Sequence, residues 1–366
     1  MCMKNCPKAN PGATPLELAQ RKLYEIAGGS RRSNDPKAAS MTTAQRLQYL
    51  KSDEFVAWVA SEKAAGREVF WLKDVDKTQG AGDVFTFFMD WRAKNKKFSK
   101  QQLAVIDKFL ISLEKNRIVR AVKSLGHALG LFGHGENAPE VAKQLWLSKE
   151  AGGEGLTMLE LWAGVFWPSQ IGLTKAEKLA QVTAFAPLYA ERAYPGVREE
   201  NEYLESIGVH VVIVSNGDQE LAIAIAPYLG VKPENTVGSH LVYNGDIATG
   251  VNHSYEVTGG DWHAKPQPGK PISLHYWMHM NRARFGWDGV DEDDFTIAGR
   301  DGDSGATDGG MMILGPKPSA IGNFMVNTPD EPKRIEAFYK LAQKYGWSRG
   351  QYITLNHSAS QKGFKP

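Results

Sequence analysis

The apolar run Val69-Phe70-Trp71-Leu72 is followed, after Lys73, by Asp74, Asp76 and Thr78, spaced as D-x-D-x-T. A short apolar run with no polar alternation reads as a strand buried on both faces, the kind found in parallel sheets covered by helices. In open α/β sheets the ligand crevice lies at the carboxyl ends of the strands. Asp74 and Asp76 therefore stand at the end of the chain's most informative strand, where a carboxylate can act as nucleophile or metal ligand. Taken alone, the triplet is equally a strand running into an acidic turn, so the rest of the chain must decide.

Three later segments answer it in order. Val211-Val212-Ile213-Val214 is a β-branched strand that ends in Ser215-Asn216-Gly217. Gly269-Lys270-Pro271 opens an apolar stretch with helical character. Phe295-Thr296-Ile297-Ala298-Gly299 is a further apolar strand, and it runs into the G-D-x4-D segment Gly302-Asp303 to Asp308.

The ordered set resembles the haloacid dehalogenase-like hydrolases, in particular their phosphoserine phosphatase-like and phosphorylcholine phosphatase-like branch, over the larger part of the chain. The resemblance implies an α/β fold, a Rossmann-like parallel-sheet core with an inserted all-helical cap. It also implies Mg²⁺-dependent hydrolysis of a small phosphorylated metabolite through an aspartyl-phosphate. In it Asp74 is the nucleophile, Asp76 the general acid and then base, and Lys270 the cation that offsets the charge gathered by Asp74 and phosphate. Thr78, Ser215, Asn216 and Gly217 face the phosphoryl group. The metal is held by Asp74, the Asp76 main-chain carbonyl, Asp303 and Asp308.

These residue types suit the chemistry independently of the likeness. A phosphate monoester repels a carboxylate nucleophile, so a cation must neutralise its oxygens, and Mg²⁺ prefers hard oxygen ligands. An alkoxide leaving group needs a proton, which a second carboxyl two residues from the first can supply. The second Asp of D-x-D thus favours phosphatase over dehalogenase. Related ATP-driven pumps need membrane spans, and no apolar stretch approaches the ~18 residues a span requires. Phosphoryl transfer to an acceptor other than water remains open.

Some positions carry competing readings. Lys73 occupies a strand position where an apolar residue is usual; it either points to solvent or depresses a neighbouring carboxylate. Lys265 lies in the same loop as Lys270, which is preferred because Gly269 and Pro271 fit a loop that opens a helix. Asp83 is placed to face a substrate ammonium group or to cap a helix beginning at Val84. Phe85, Phe87, Phe88, Trp91, Trp162, Phe166 and Trp167 are either a cage for a cationic head or ordinary core. Asp301, Asp303 and Asp308 also permit a calcium loop in a non-catalytic protein, as does simple phospho-ligand binding. An EF-hand frame is not met.

With 366 residues the chain can hold two domains, and 42% hydrophobic with 23% charged residues is ordinary globular usage. A net charge of +2 and the lack of a basic tract argue against nucleic acid, and Arg31-Arg32 reads as a solvated linker. Cys2 and Cys6 read as a frayed end in a reducing compartment. No apolar signal core follows Met1, so cytoplasm is expected, and the sequons at Asn252 and Asn356 are then without meaning. Oligomeric state is not encoded in any recognisable way.

The expected organisation is a helical leader over 1–66, a core formed by 67–84 and 191–366, and a helical cap over 85–190. Within it, Leu16 to Ala27 and Thr43 to about Ala65 read as helices. Ser99-x-x-Gln102 and Thr174-x-x-Glu177 read as capping boxes. Asn244-Gly245 reads as a hairpin turn, and Met311 to Leu314 and Asn323 to Val326 as strands.

Overall fold

A computed structural model describes residues 12–28, 39–114, 135–252, 269–303, 308–313, 321–327, 339–340, 343 and 352–357. Expectations placed on Cys2, Cys6, Arg31-Arg32 and Lys265 lie outside them.

Among the described residues the chain opens with α1 (Pro15–Ile26), β1 (Ser40–Thr42), α2 (Thr43–Leu50) and α3 (Asp53–Ala64), and then enters β2 (Glu68–Lys73). Helices follow: α4 (Val84–Lys94), α5 (Lys100–Ser112), α6 (Ala138–Glu150), α7 (Met158–Leu161) and α8 (Lys175–Ala190). The α/β rhythm resumes with α9 (Val197–Ser206), β3 (Val209–Asp218), α10 (Gln219–Ile225), β4 (Thr236–Asn244) and β5 (Ile247–Asn252). It closes with α11 (Gly269–Asn281), β6 (Phe295–Gly302), α12 (Gly309–Ile313), β7 (Gly322–Asn327) and β8 (Tyr352–Asn356). The eight strands form one sheet in the order β1-β8-β7-β6-β2-β3-β4-β5. Every pair is parallel except the β4–β5 hairpin.

Both faces of the sheet are covered, which is why β2 is apolar without alternation. Val69 and Trp71 join the core that includes Leu23, Phe55 and Trp58 of the leader helices. Phe70 and Leu72 face the opposite way, among Leu274, Trp277 and Met278 of α11. The chain runs from β2 outward through β3 on one side and returns to β6 on the other. The sheet therefore has its switch point beside β2, and the carboxyl ends of β2, β3 and β6 converge there.

Local signals worked as read in several places. Ser99 and Thr174 form their capping boxes with Gln102 and Glu177. The expected hairpin forms one residue further on than Asn244-Gly245: Asn244 pairs with Ile247, so the two-residue loop is Gly245-Asp246. Three further readings need correction. The leader is not helical throughout: Ser40–Thr42 is a strand that pairs with β8, so residue 66 does not bound the sheet. The helix expected from Thr43 to Ala65 is two, because Ser52 turns extended and caps α3 by accepting from Phe55 N. Finally, Met311 to Ile313 belongs to a helix; an apolar run so short fits either period, and the buried Met311 and Met312 serve the core equally well from a helical turn.

Candidate active site

Asp74 follows β2 directly, and its N–H donates to the Asp301 carbonyl of β6 (3.0 Å), extending the ladder one step past the strand. The next residues fold back in a tight loop. Thr78 N and Gln79 N both donate to the Val75 carbonyl, and Lys77 adopts a left-handed conformation with φ +57°. A non-glycine residue there is strained and persists only when its surroundings hold it.

Around Asp74 the structure assembles a buried charge cluster from three distant segments. Lys270 Nζ, from the first turn of α11, donates to Asp74 Oδ1 (2.6 Å) and Asp308 Oδ1 (2.5 Å). Asp308 Oδ2 in turn accepts the Asp303 N–H (2.8 Å). A side chain at Gly302 would place its Cβ 2.7 Å from the Asp308 Cβ, so this glycine is what lets Asp308 close against the end of β6. Carboxylate oxygens of Asp74, Asp303 and Asp308 lie within 4.8 Å of one another, and all three residues are buried. Burial first, then Asp308, pushes the Asp74 carboxyl up to about 6, against the opposing pull of Lys270. Burial works to deprotonate Lys270, but Asp308 and Asp74 outweigh it and hold the ammonium charged.

Asp76 stands beside this cluster. Its Oδ1 accepts the Val84 N–H (2.7 Å) at the start of α4. Burial, then Asp83, then Asp74 raise its carboxyl well above the usual carboxylate range. Thr78, expected to face the phosphoryl group, donates through Oγ1 to Asp74 Oδ2 (3.3 Å). Ser215 is buried at the end of β3 and its Oγ accepts the Gly217 N–H (3.0 Å), so that N–H orients the serine. The Asn216 carbonyl accepts from Ser239 Oγ (3.0 Å). Gly217 is required sterically: a Cβ there would sit 1.4 Å from the Phe85 ring, so the last residues of β3 meet the start of α4 through glycine.

Asp83 caps α4. Its Oδ1 accepts from Phe85 N (3.1 Å), Thr86 N (3.0 Å) and Thr86 Oγ1 (3.0 Å), the capping alternative. The aromatics nearby are core. Phe85 meets Trp162 and Phe166 edge-on at 5.3 and 4.8 Å, and Phe88 meets Phe185 at 5.2 Å.

Lys73 is fully buried and points away from Asp74, into the face shared with the leader. There it pairs with Glu200 and lies 3.6 Å from Asp301, while Arg46 forks onto Glu200 (2.6 Å to each oxygen) and Asp301 (2.8 Å). Trp71 Nε1 completes the set by donating to Asp301 Oδ1 (2.9 Å). Of the two readings of Lys73, solvent exposure fails. Although burial alone would raise it, Arg46 and then Lys73 hold the Glu200 carboxyl down to about 2. Asp301 is spent on this network, so a calcium loop drawing on Asp301, Asp303 and Asp308 together is not what forms.

Gln79 had no distinguishing mark in the sequence. Its Nε2 donates to the Asp74 carbonyl (3.0 Å), and its Oε1 accepts from Asn201 Nδ2 (2.9 Å), which fixes the main chain beneath the carboxylate.

No protein-family model matches the chain, and no curated protein does. Among solved structures it is similar to a conserved, functionally unknown protein from Anaerococcus prevotii DSM 20548, at 12% identity and TM-score 0.49, covering 88% of this chain and 97% of that one. A protein of unknown function from Bordetella pertussis Tohama I is 15% identical with TM-score 0.44, covering 78% and 98%. A phosphoserine phosphohydrolase-like protein from Francisella tularensis subsp. tularensis SCHU S4 is 15% identical with TM-score 0.36, covering 74% and 91%. What the site does therefore rests on this chain's own residues.

Proposed function

We propose that the chain is a phosphomonoester hydrolase of the haloacid dehalogenase-like type, working through an aspartyl-phosphate on Asp74. The observation that carries this reading is the contact of Asp74 with Lys270 inside a buried group of three carboxylates at the sheet's switch point. A buried cluster with more negative than positive charge is costly unless a cation completes it. The donor set consists of hard carboxylate oxygens, which fits Mg²⁺. Asp74, Asp303 and Asp308 would hold the ion, with the Asp76 main-chain carbonyl as the further ligand. When bound it would supply charge neutralisation for the phosphoryl oxygens.

The protein's own groups do the rest. Asp74 Oδ2, steadied by the Thr78 hydroxyl, is the attacking oxygen, because Oδ1 is taken by Lys270. Lys270 stays charged throughout and offsets the negative charge that develops. Asp76, whose raised carboxyl favours the protonated state, gives its proton to the leaving alkoxide. As carboxylate it then takes a proton from the water that cleaves the aspartyl-phosphate. Ser215 is held at the end of β3 with its O–H as the group to offer a phosphoryl oxygen. The helices between Val84 and Ala190 are the segment that would exclude water from the crevice. Since Asp83 is engaged as a helix cap, the substrate is proposed as a small phosphomonoester without a required ammonium group.

The test is phosphate release from a panel of phosphomonoesters with Mg²⁺ or EDTA, comparing the unmodified protein with Asp74→Asn. Metal-dependent release that falls by more than roughly 10⁴-fold in the variant is expected for loss of a nucleophile. Release that survives the substitution would end the reading.

A further inference from the structure

The imidazole of His357 joins the leader to the loop that carries the site. It lies just past the carboxyl end of β8, as Asp74 lies just past β2. The ring is buried and stacked on Tyr194, with centroids 4.4 Å apart and planes 10° from parallel. Its Nδ1 is 2.8 Å from Thr43 Oγ1, on the first residue of α2, and its Nε2 is 3.0 Å from the main-chain carbonyl of Thr78. The chemistry fixes the proton. A carbonyl only accepts, so Nε2 must carry the hydrogen, and in a neutral ring Nδ1 then accepts from the Thr43 hydroxyl. The charged groups around it are Arg46, Lys73 and Glu200, and burial first, then Arg46, pushes the ring down to about 3.

The carbonyl it holds belongs to Thr78, whose hydroxyl donates to Asp74 Oδ2. The same loop contains left-handed Lys77. A strained turn of this kind keeps its shape only if outside groups pin it, and the His357 ring is a rigid, buried donor from a different strand. Resting on the proposed phosphatase reading, we infer that His357 is a positioning residue: as the neutral Nε2–H tautomer it clamps the Thr78 carbonyl, and so sets the aim of Asp74 from the leader side.

The test combines kinetics with a readout independent of turnover. His357→Ala, His357→Gln and Thr43→Val are compared for thermal midpoint, kcat and KM in phosphate release, and the ring nitrogens of the unmodified protein are followed by ¹⁵N NMR from pH 8 to pH 5. Expected for His357→Ala is a fall in kcat of roughly 10- to 100-fold with KM little changed, since misplacing a reacting group acts on turnover. His357→Gln, whose amide can donate to Thr78 and accept from Thr43, should regain most of it. The NMR spectrum should show a neutral ring protonated at Nε2 across the whole range. Unchanged kcat in His357→Ala, or a loss equal in Ala and Gln variants and explained by their folded fraction, overturns the inference. So does a ring protonated at Nδ1, or one that titrates near the ordinary ~6.5. If the unmodified protein releases no phosphate, the functional reading fails on its own, and the tautomer still decides whether His357 clamps the loop.

Discussion

Lys73 and Asp74 are neighbours in sequence and enter two buried ionic groups of opposite design. Behind β2, Lys73 and Arg46 meet Glu200 and Asp301, two cations with two anions, and a tryptophan N–H satisfies a remaining oxygen. In front, Asp74 and Asp308 both accept from Lys270, and the Asp303 carboxylate lies beside them. The rear group balances two cations against two anions; the front group gathers three buried carboxylates where Lys270 donates to two of them. Burial and charge alone therefore do not mark a site. On the function proposed above, the uneven charge count at the strand ends does.

The comparison can be broken most directly from behind. Arg46→Met leaves two buried carboxylates sharing one lysine and should cost about 3–5 kcal/mol in urea unfolding. A loss under about 1 kcal/mol would mean the rear group is not a unit.

The front group should respond to metal instead. At free Mg²⁺ a hundredfold above its dissociation constant, unfolding should become about 2.7 kcal/mol harder than in EDTA. In Asp303→Asn that gain should largely vanish, and an equal gain in both proteins would place the ion elsewhere.

Acid should separate the two groups by sign in metal-free protein. Glu200 is held at about 2 when folded, below its unfolded value of about 4.3, so its contribution is full above pH ~4.3 and disappears as pH falls toward 2. Asp74 is raised to about 6, above its unfolded value of about 3.9, so its contribution is full below pH ~3.9 and is lost as pH rises through 6. Stability measured against pH should peak near pH ~4, where the two windows meet. Glu200→Gln should flatten the acid limb and Asp74→Asn the neutral one.

The smallest effect concerns Asp83. As a helix cap its replacement by Ala should cost about 0.5–2 kcal/mol with KM for phosphomonoesters unchanged. A rise in KM confined to amine-bearing esters would restore it as a substrate contact.

Much of the front group was legible because strand-end carboxylates and the Gly-Lys-Pro turn are local signals. Each flanking run is common by itself, and it was their order along the chain, in the resemblance, that picked out Asp74, Lys270, Asp303 and Asp308. The rear group was not, since Arg46 and Glu200 are 154 residues apart and Trp71 and Asp301 are 230 apart. No local pattern distinguishes such partners from solvated charges. β1 escaped notice because three residues are too few to show a period, and its strand character comes from pairing with β8. His357 was visible only as part of a sequon, because its neighbours Thr43 and Thr78 are brought to it by the sheet.

The pairing of β1 with β8 also has a consequence for synthesis. Thr43 leaves the ribosome 314 residues before the histidine it will meet, an interval of about 15–60 s at ordinary rates of elongation. Arg46 waits 154 residues for Glu200 and 255 for Asp301. The leader helices can pack on one another and on β2 as they emerge, whereas their contacts with β8, Glu200 and Asp301 close only after most of the chain has been made.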